Sequence, residues 1–161
     1  MKMTTFTVNK ANVYDEVAKT TGYTGFKMIQ ADNAAYDRIF TTDEDRMMLE
    51  RFWIEACNIV TEQFKPFLVT VSAQPESHGI ELDRNYEVQL ELSSSYDETL
   101  SDSISSSLFS FFVSTIISKW FKFTNKEESG NYAMEAASML DSIMRKLYFR
   151  KKPQRVNPVQ Q

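Results

Sequence analysis

Glycine and proline are scarce in this chain of 161 residues, which contains only four of each. Because these residues interrupt regular structure, their scarcity favours long helices over many short strands. Four glycines also leave little material for a glycine-rich phosphate-binding loop, and the sequence contains no such motif. The chain therefore lacks the sequence signature of a nucleotide-binding enzyme.

Cysteine and histidine occur once each, as Cys57 and His78. A single cysteine forms no intrachain disulfide, and one Cys with one His does not supply the ligands of a typical zinc site. Cys57 lies beside an apolar helical stripe, where a thiol behaves as a small hydrophobic group. We expect neither residue to act in catalysis, the protein not to be an enzyme, and no metal or cofactor to bind.

Long hydrophobic runs are also lacking. The N-terminal residues MKMTTFTVNK do not contain the apolar core of a signal peptide. The most apolar stretch, residues 107–121, has four serines and a lysine and is followed at once by Lys122. A membrane-spanning helix needs about 20 predominantly apolar residues. We therefore expect no membrane span.

The net charge of −4 conceals an asymmetry between the body and the C-terminus. Residues 145–161 hold six of the 18 basic side chains and no acidic one, which leaves 12 basic against 22 acidic side chains elsewhere. A basic tail on an acidic body suggests an anionic partner, either nucleic acid or an acidic protein surface. A solvated tail that only aids solubility is the alternative. The candidate partner- or DNA-contacting residues are Arg145, Lys146, Arg150, Lys151, Lys152 and Arg155.

Hydrophobic periodicity predicts four main helices and two strands. The predicted helices cover residues 10–20, 41–65, 97–123 and 131–148, with a further turn or two near 33–40 and a turn at KEESG. Thr41 and Glu44 fit a capping box at the start of the second helix. Alternating residues predict antiparallel strands at 67–71 and 86–92, joined by a long loop.

These elements predict a mainly α (α+β) fold. It is a bundle of about four helices with a small antiparallel β hairpin between the second and third long helices. Residues 1–149 form a single domain, and residues 150–161 form an extended basic tail because Pro153 and Pro158 prevent helix.

The third long helix is apolar on nearly all sides, which indicates burial from several directions. Small residues spaced four apart permit close helix approach, although a solvent-facing polar strip would give the same spacing. One polar strip cannot shield so many aromatic side chains in a lone chain, so we expect a second subunit to cover some of them. The candidate subunit-interface residues are Ser106, Ser110, Ser114, Ser118, Trp120 and Phe121.

The order of elements over residues 41–148 resembles the head-to-tail connector (head-completion adaptor) proteins of tailed bacteriophages. The resemblance rests on the acid-capped helix TTDEDRMMLERFWIEACNIVTEQFKPFL, the strands, the helix ending in FFVSTIISKWF, and a last helix with a basic tail. Family members carry a comparable acid-capped, alanine-rich helix and an aromatic pair like Trp120-Phe121. Residues 10–25 have no counterpart, and the loop between the strands is longer than in the family.

The resemblance implies a virion structural protein made in the host cytoplasm. It implies a ring of about twelve copies below the portal protein at the head–tail junction, which lets DNA pass and docks the tail. A different virion position, such as a tail-completion protein, remains open. The first alternative function is a small cytosolic DNA-binding or regulatory protein acting through its basic tail. An enzyme of unrecognised type is the second.

Overall fold

Four long α-helices, one short helix and a three-stranded sheet make up the computed structural model, which describes residues 1–72 and 84–155. In chain order the elements are β1 Lys2–Val8, α1 Lys10–Met28, α2 Ala35–Ile39, α3 Arg46–Phe64, β2 Leu68–Val71, β3 Tyr86–Leu92, α4 Ser101–Thr124 and α5 Lys126–Tyr148. Short 3₁₀ turns lead into α3 and α4. The predicted mainly α fold class is confirmed, and β2 and β3 lie between the second and third long helices as predicted.

The sheet has one strand more than the predicted hairpin. Strand β3 lies in the centre and pairs antiparallel with both β1 and β2. Every second residue of β3 is buried, as its alternating pattern predicts, while β2 is interrupted by a register shift between Leu68 and Thr70. Strand β1 was missed because only its last two apolar residues, Phe6 and Val8, face the core. Its partner strand lies about 80 residues away, beyond the reach of a local pattern.

Helix α4 forms the centre of the hydrophobic core. Half of its 24 residues are buried, and it contacts α1, α2, α3, α5 and β1. The most extensive contact between two helices joins α4 to α5. The prediction that this helix is buried within the subunit is confirmed, and its aromatic side chains are covered mainly by the chain's own elements.

By length and composition alone, the segment Glu98–Thr124 could cross a bilayer. Half of its most apolar window is nevertheless buried inside the protein. Core helices of soluble proteins have the same two properties, so the expected absence of a membrane span stays a prediction.

Helix α1 is longer than predicted, because the expected stop at Gly22 does not occur. The helix continues to Met28, and the two glycines of its second half lie against α2. A Cβ atom added at Gly25 would stand 2.9 Å from the Cα atom of Tyr36. Gly25 therefore permits close packing of α2 on α1 rather than ending the helix.

Helix α5 begins five residues earlier than predicted. The segment KEESG, expected to form a turn, forms the first helical turn, and the break between α4 and α5 falls at Asn125. Glu127 and Glu128 lie in this first turn, where the helix dipole favours negative charge. Gly130 faces solvent and has no neighbouring atom within 4 Å of an added Cβ.

The capping box before α3 is formed by Thr42 and Asp45, one residue after the predicted pair Thr41 and Glu44. The Thr42 N–H donates to the Asp45 carboxylate at 2.9 Å. Thr41 is buried, and its N–H instead donates to the Thr21 hydroxyl at 3.2 Å. The contact with α1 thus decides which of two adjacent threonines caps the helix.

Candidate functional site

A buried charged cluster joins α1 to α3. Lys10 is only 2% exposed, and its ammonium group contacts one carboxylate oxygen of Glu50. The Tyr14 hydroxyl donates to the other Glu50 oxygen at 2.7 Å. The Lys10 ammonium also lies 5.8 Å from the ring centroids of both Tyr14 and Trp53, within the range of a cation–π interaction.

The chemistry of this cluster is that of a structural support. Burial, together with the hydrogen bond and negative charge of Glu50, raises the pKa of Tyr14 well above its usual value. The phenol therefore stays protonated and donates to the carboxylate at any physiological pH. The backbone N–H of Lys10 donates to the Asn85 side chain at 3.1 Å, which also ties α1 to the sheet. The cluster fixes the angle between β1, α1 and α3.

An open apolar groove runs between α3 and α5, with α4 as its floor, and we call it the α3–α5 groove. Its central part has a volume of about 290 Å³, and a second part of about 720 Å³ continues it toward the C-terminal end of α5. Both parts share Ala137 and Leu140. The α3 side contributes Ile59, which is 39% exposed although it is a large apolar residue.

The floor of the α3–α5 groove contains an unsatisfied hydroxyl. Thr115 is 6% exposed, and its Oγ1 atom has no hydrogen-bond partner within the described part of the chain. Buried polar groups nearly always have a partner, and leaving one unsatisfied costs about 1–3 kcal/mol. The oxygen atom has almost no accessible surface, so this cost is carried inside the fold beneath the groove.

The end of the α3–α5 groove nearest the C-terminus of α4 is basic. Lys119 and Lys122 line it. Lys119 contacts the Glu55 carboxylate at 2.6 Å, and Arg51 contacts the same carboxylate at 3.4 Å. The Lys119 hydrogen bond, more than the nearby charges, lowers the pKa of Glu55. Two cations thus contact one carboxylate, and Lys122 adds a third positive charge, so this end of the groove is net positive. Glu62 and Asp141 line the other end of the groove.

A second groove lies on the opposite side of α5, between α5 and α1, and we call it the α1–α5 groove. It has a volume of about 290 Å³ and is lined by both apolar and polar side chains. Glu16 of α1 and Glu135 of α5 line it, and neither forms an ion pair with another described residue. The two sides of α5 therefore carry opposite charge.

The predicted subunit-interface residues divide into buried and accessible ones. Trp120 is buried, and its Nε1–H donates to the Ile39 carbonyl at 2.7 Å. Phe121 is fully buried and packs edge-on against Tyr132. The close helix approach predicted from the serine spacing occurs between α4 and α5 of the same chain. There Ser118 donates to the Ser129 carbonyl at 3.1 Å, and Ser129 donates back to the Ser118 carbonyl at 2.9 Å.

Of the other predicted interface serines, Ser114 is buried, Ser110 is half-buried in the α1–α5 groove and Ser106 is exposed. Contact with a second subunit stays a prediction for Ser106 and Ser110, which are accessible. The buried members of the set are already covered by their own chain.

The predicted basic contact residues are held in different ways. Arg145 pairs with Asp141 on α5, and Lys146 donates to the hydroxyls of two α4 serines. The Arg150 guanidinium donates to the carbonyls of Leu147 and Phe149, which lie at the end of α5. The Lys151 N–H donates to the Ser95 carbonyl at 2.9 Å.

The last two predicted contact residues, Lys152 and Arg155, are exposed and lie in a segment without regular secondary structure. Residues 156–161, the end of the predicted tail, lie outside the described residues. Arg150 and Lys151 are also exposed, but they bond to their own chain, so Lys152 and Arg155 are the described tail cations most available to an anionic partner.

Cys57 is buried on α3 at 1% exposure, as expected for a small hydrophobic side chain. His78 lies outside the described residues. Among the residues that are described, no group of three His, Cys, Asp or Glu side chains is arranged to hold a metal ion. The expected absence of catalysis and of a cofactor stays a prediction.

No protein-family model, curated protein or solved structure matches this chain in sequence or fold. The candidate site is therefore defined by its own geometry. It consists of two grooves of opposite charge, one on each side of α5.

Sequence reasoning missed both the grooves and the buried cluster. The grooves arise because α5 packs on α4 with few contacts to α1 or α3, a tertiary relation that no local pattern reveals. One local signal was available: α5 has exposed Ala133 and Ala137 on positions that its apolar stripe predicts to be buried. Apolar helix positions left exposed indicate a missing partner.

Proposed function

We propose that this protein is a ring-forming head-to-tail connector of a tailed bacteriophage, docked between the portal protein and the tail. The observation that carries the proposal is the arrangement of α5, which is covered on one face by α4 and flanked by two open grooves of unlike character. A closed ring needs two different surfaces on each subunit, because every contact joins one surface to the other.

The order of elements supports the same proposal. An acid-capped α3, a strand pair, an apolar α4 and a final α5 with a basic extension follow one another along the chain, as in the connector family that the sequence resembles. The extra β1 and α1 add a strand to the sheet and a helix against α4, and they leave the α3–α5 groove open.

The tail supplies a third argument. Beyond Phe149 the backbone is extended, and Lys152 and Arg155 are exposed. Individual exposed ion pairs contribute only about 0–1 kcal/mol, so several have to act together on an acidic surface. We propose that the tail lies on a neighbouring copy or on the portal protein.

Electron microscopy tests the proposed position of the protein. The purified protein, mixed with rings of the portal protein encoded in the same genome, is expected to add a ring of density to one end of the portal. Absence of added density, together with tight binding to duplex DNA, would contradict the proposal. That result would favour the alternative, a DNA-binding or regulatory protein acting through the tail.

Deleting residues 152–161 is expected to weaken binding to the portal or to neighbouring copies while leaving affinity for duplex DNA unchanged. The deletion removes Lys152 and Arg155 but keeps the Lys151 contact with Ser95, so the fold of the body is preserved. Sedimentation velocity and fluorescence anisotropy at several salt concentrations measure the two effects. Lys126→Gln, which removes an exposed cation from the first turn of α5 instead of the tail, is the control. Normal assembly with a large loss of salt-dependent DNA affinity would instead assign the tail to phosphate binding.

A further inference from the structure

We infer that the α3–α5 groove of one copy is covered by the α1–α5 side of a second copy, so that neighbouring subunits interlock through the two sides of α5. This inference rests on the proposed ring and names the surfaces that form it. The occupant is a second copy of this chain, docked head to tail.

The shape of the two surfaces supports interlocking. Each groove is bordered by helices that stand out from the floor made by α4. In this contact, α5 of the second copy lies between α3 and α5 of the first copy. At the same time, α3 of the first copy enters the α1–α5 groove of the second copy. Ridges of one helix layer commonly pack into grooves of another in this way. Ala133 and Ala137 line the α3–α5 groove, and their small side chains leave room for a helix of the second copy.

The charges of the two grooves indicate which surface of one copy contacts which surface of the next copy. The central part of the α3–α5 groove presents Lys119 and Lys122, and Lys119 shares the Glu55 carboxylate with Arg51. The acids Glu62 and Asp141 line only the part that continues toward the C-terminal end of α5. The opposite side of α5 presents Glu16 and Glu135 with no cation among its lining residues. Contact between the central part and the α1–α5 side brings positive to negative, whereas contact between two central parts would bring like charges together. Like charges across an interface disfavour the wrong pairing. The charges therefore favour a head-to-tail contact over a two-fold symmetric one.

Cross-linking tests which surfaces meet. One chain carries Lys122→Cys and another carries Glu135→Cys; both positions are exposed, and Cys57 is buried and does not compete. With a short bifunctional thiol reagent, covalent dimers are expected only when the two chains are mixed. A chain with both substitutions is expected to give a ladder of larger products. Dimers from Lys122→Cys alone would overturn the inference, because they require the same surface on both copies.

Absence of any cross-linked product from the mixture would also overturn it. If electron microscopy still shows a ring on the portal in that case, the proposed function stands and only the assignment of surfaces fails. If no ring forms at the portal, the proposed function itself fails. The two failures are therefore distinguishable.

Charge reversal provides a further readout. Lys122→Glu and Glu135→Lys are each expected to weaken association about five-fold, the factor that corresponds to about 1 kcal/mol for one exposed pair. Mixing the two variants is expected to recover part of the loss. Unchanged association in both variants would refute the contact.

Discussion

Glu50→Ala is expected to lower the free energy of unfolding by about 3 kcal/mol or more, because it removes the carboxylate that the buried Lys10 ammonium contacts. The same change deprives the Tyr14 hydroxyl of its acceptor. Urea unfolding followed by circular dichroism measures the effect. The triple variant K10M, Y14F and E50M is expected to be more stable than Glu50→Ala, since apolar side chains replace every member of the cluster together.

Glu55→Ala is the matched control on the same helix. Glu55 also contacts two cations, but its side chain is 38% exposed. Solvent weakens such pairs, so a loss of about 1 kcal/mol or less is expected. Equal losses of unfolding free energy in Glu50→Ala and Glu55→Ala would show that the buried Lys10–Glu50 pair stabilises the fold no more than an exposed pair does.

Phe112→Ala is expected to cost about 3–5 kcal/mol, the usual effect of removing a fully buried aromatic ring. Phe112 is 0% exposed, and its ring centroid lies 4.7 Å from that of Trp53 and 5.4 Å from that of Tyr86. The ring therefore joins α4 to α3 and to the central strand β3. Thermal or urea unfolding measures the loss, and the cavity has no small neighbouring side chain to refill it.

Phe123→Ala serves as the control for Phe112. Phe123 lies on the same helix but is 68% exposed, and it stacks on Phe52 at a centroid distance of 6.5 Å. A loss of about 1 kcal/mol or less is expected for such a surface aromatic pair. A melting temperature of Phe112→Ala that matches the wild type would place this ring outside the core.

The positions of the helices could be predicted from the sequence because they depend on residues that lie close together in the chain. The apolar residues of α3 recur at helical spacing, and residues 67–71 and 86–92 alternate as strands do. The burial of α4 was predictable because its own apolar residues cover nearly all sides of the helix. These features depend on residues only a few positions apart.

The features that were missed depend on residues far apart in sequence. The burial of Lys10 depends on Glu50, which lies 40 residues later and places a carboxylate beside its ammonium group. The choice of Thr42 over Thr41 as the helix cap depends on Thr21 of α1. The grooves depend on the angle at which α5 crosses α4. No pattern in a short window contains this information, because packing decides it.

The central position of α4 has a consequence for synthesis on the ribosome. Helices α1 and α3 and strand β1 leave the ribosome before α4, so the parts of them that pack on α4 have no partner during roughly the first two thirds of translation. The α4–α5 pair, in contrast, joins neighbours in sequence and needs little loop closure. A nascent chain paused before residue 124 therefore exposes the surfaces that chaperones recognise, and release of α5 from the ribosome allows the core to close around α4.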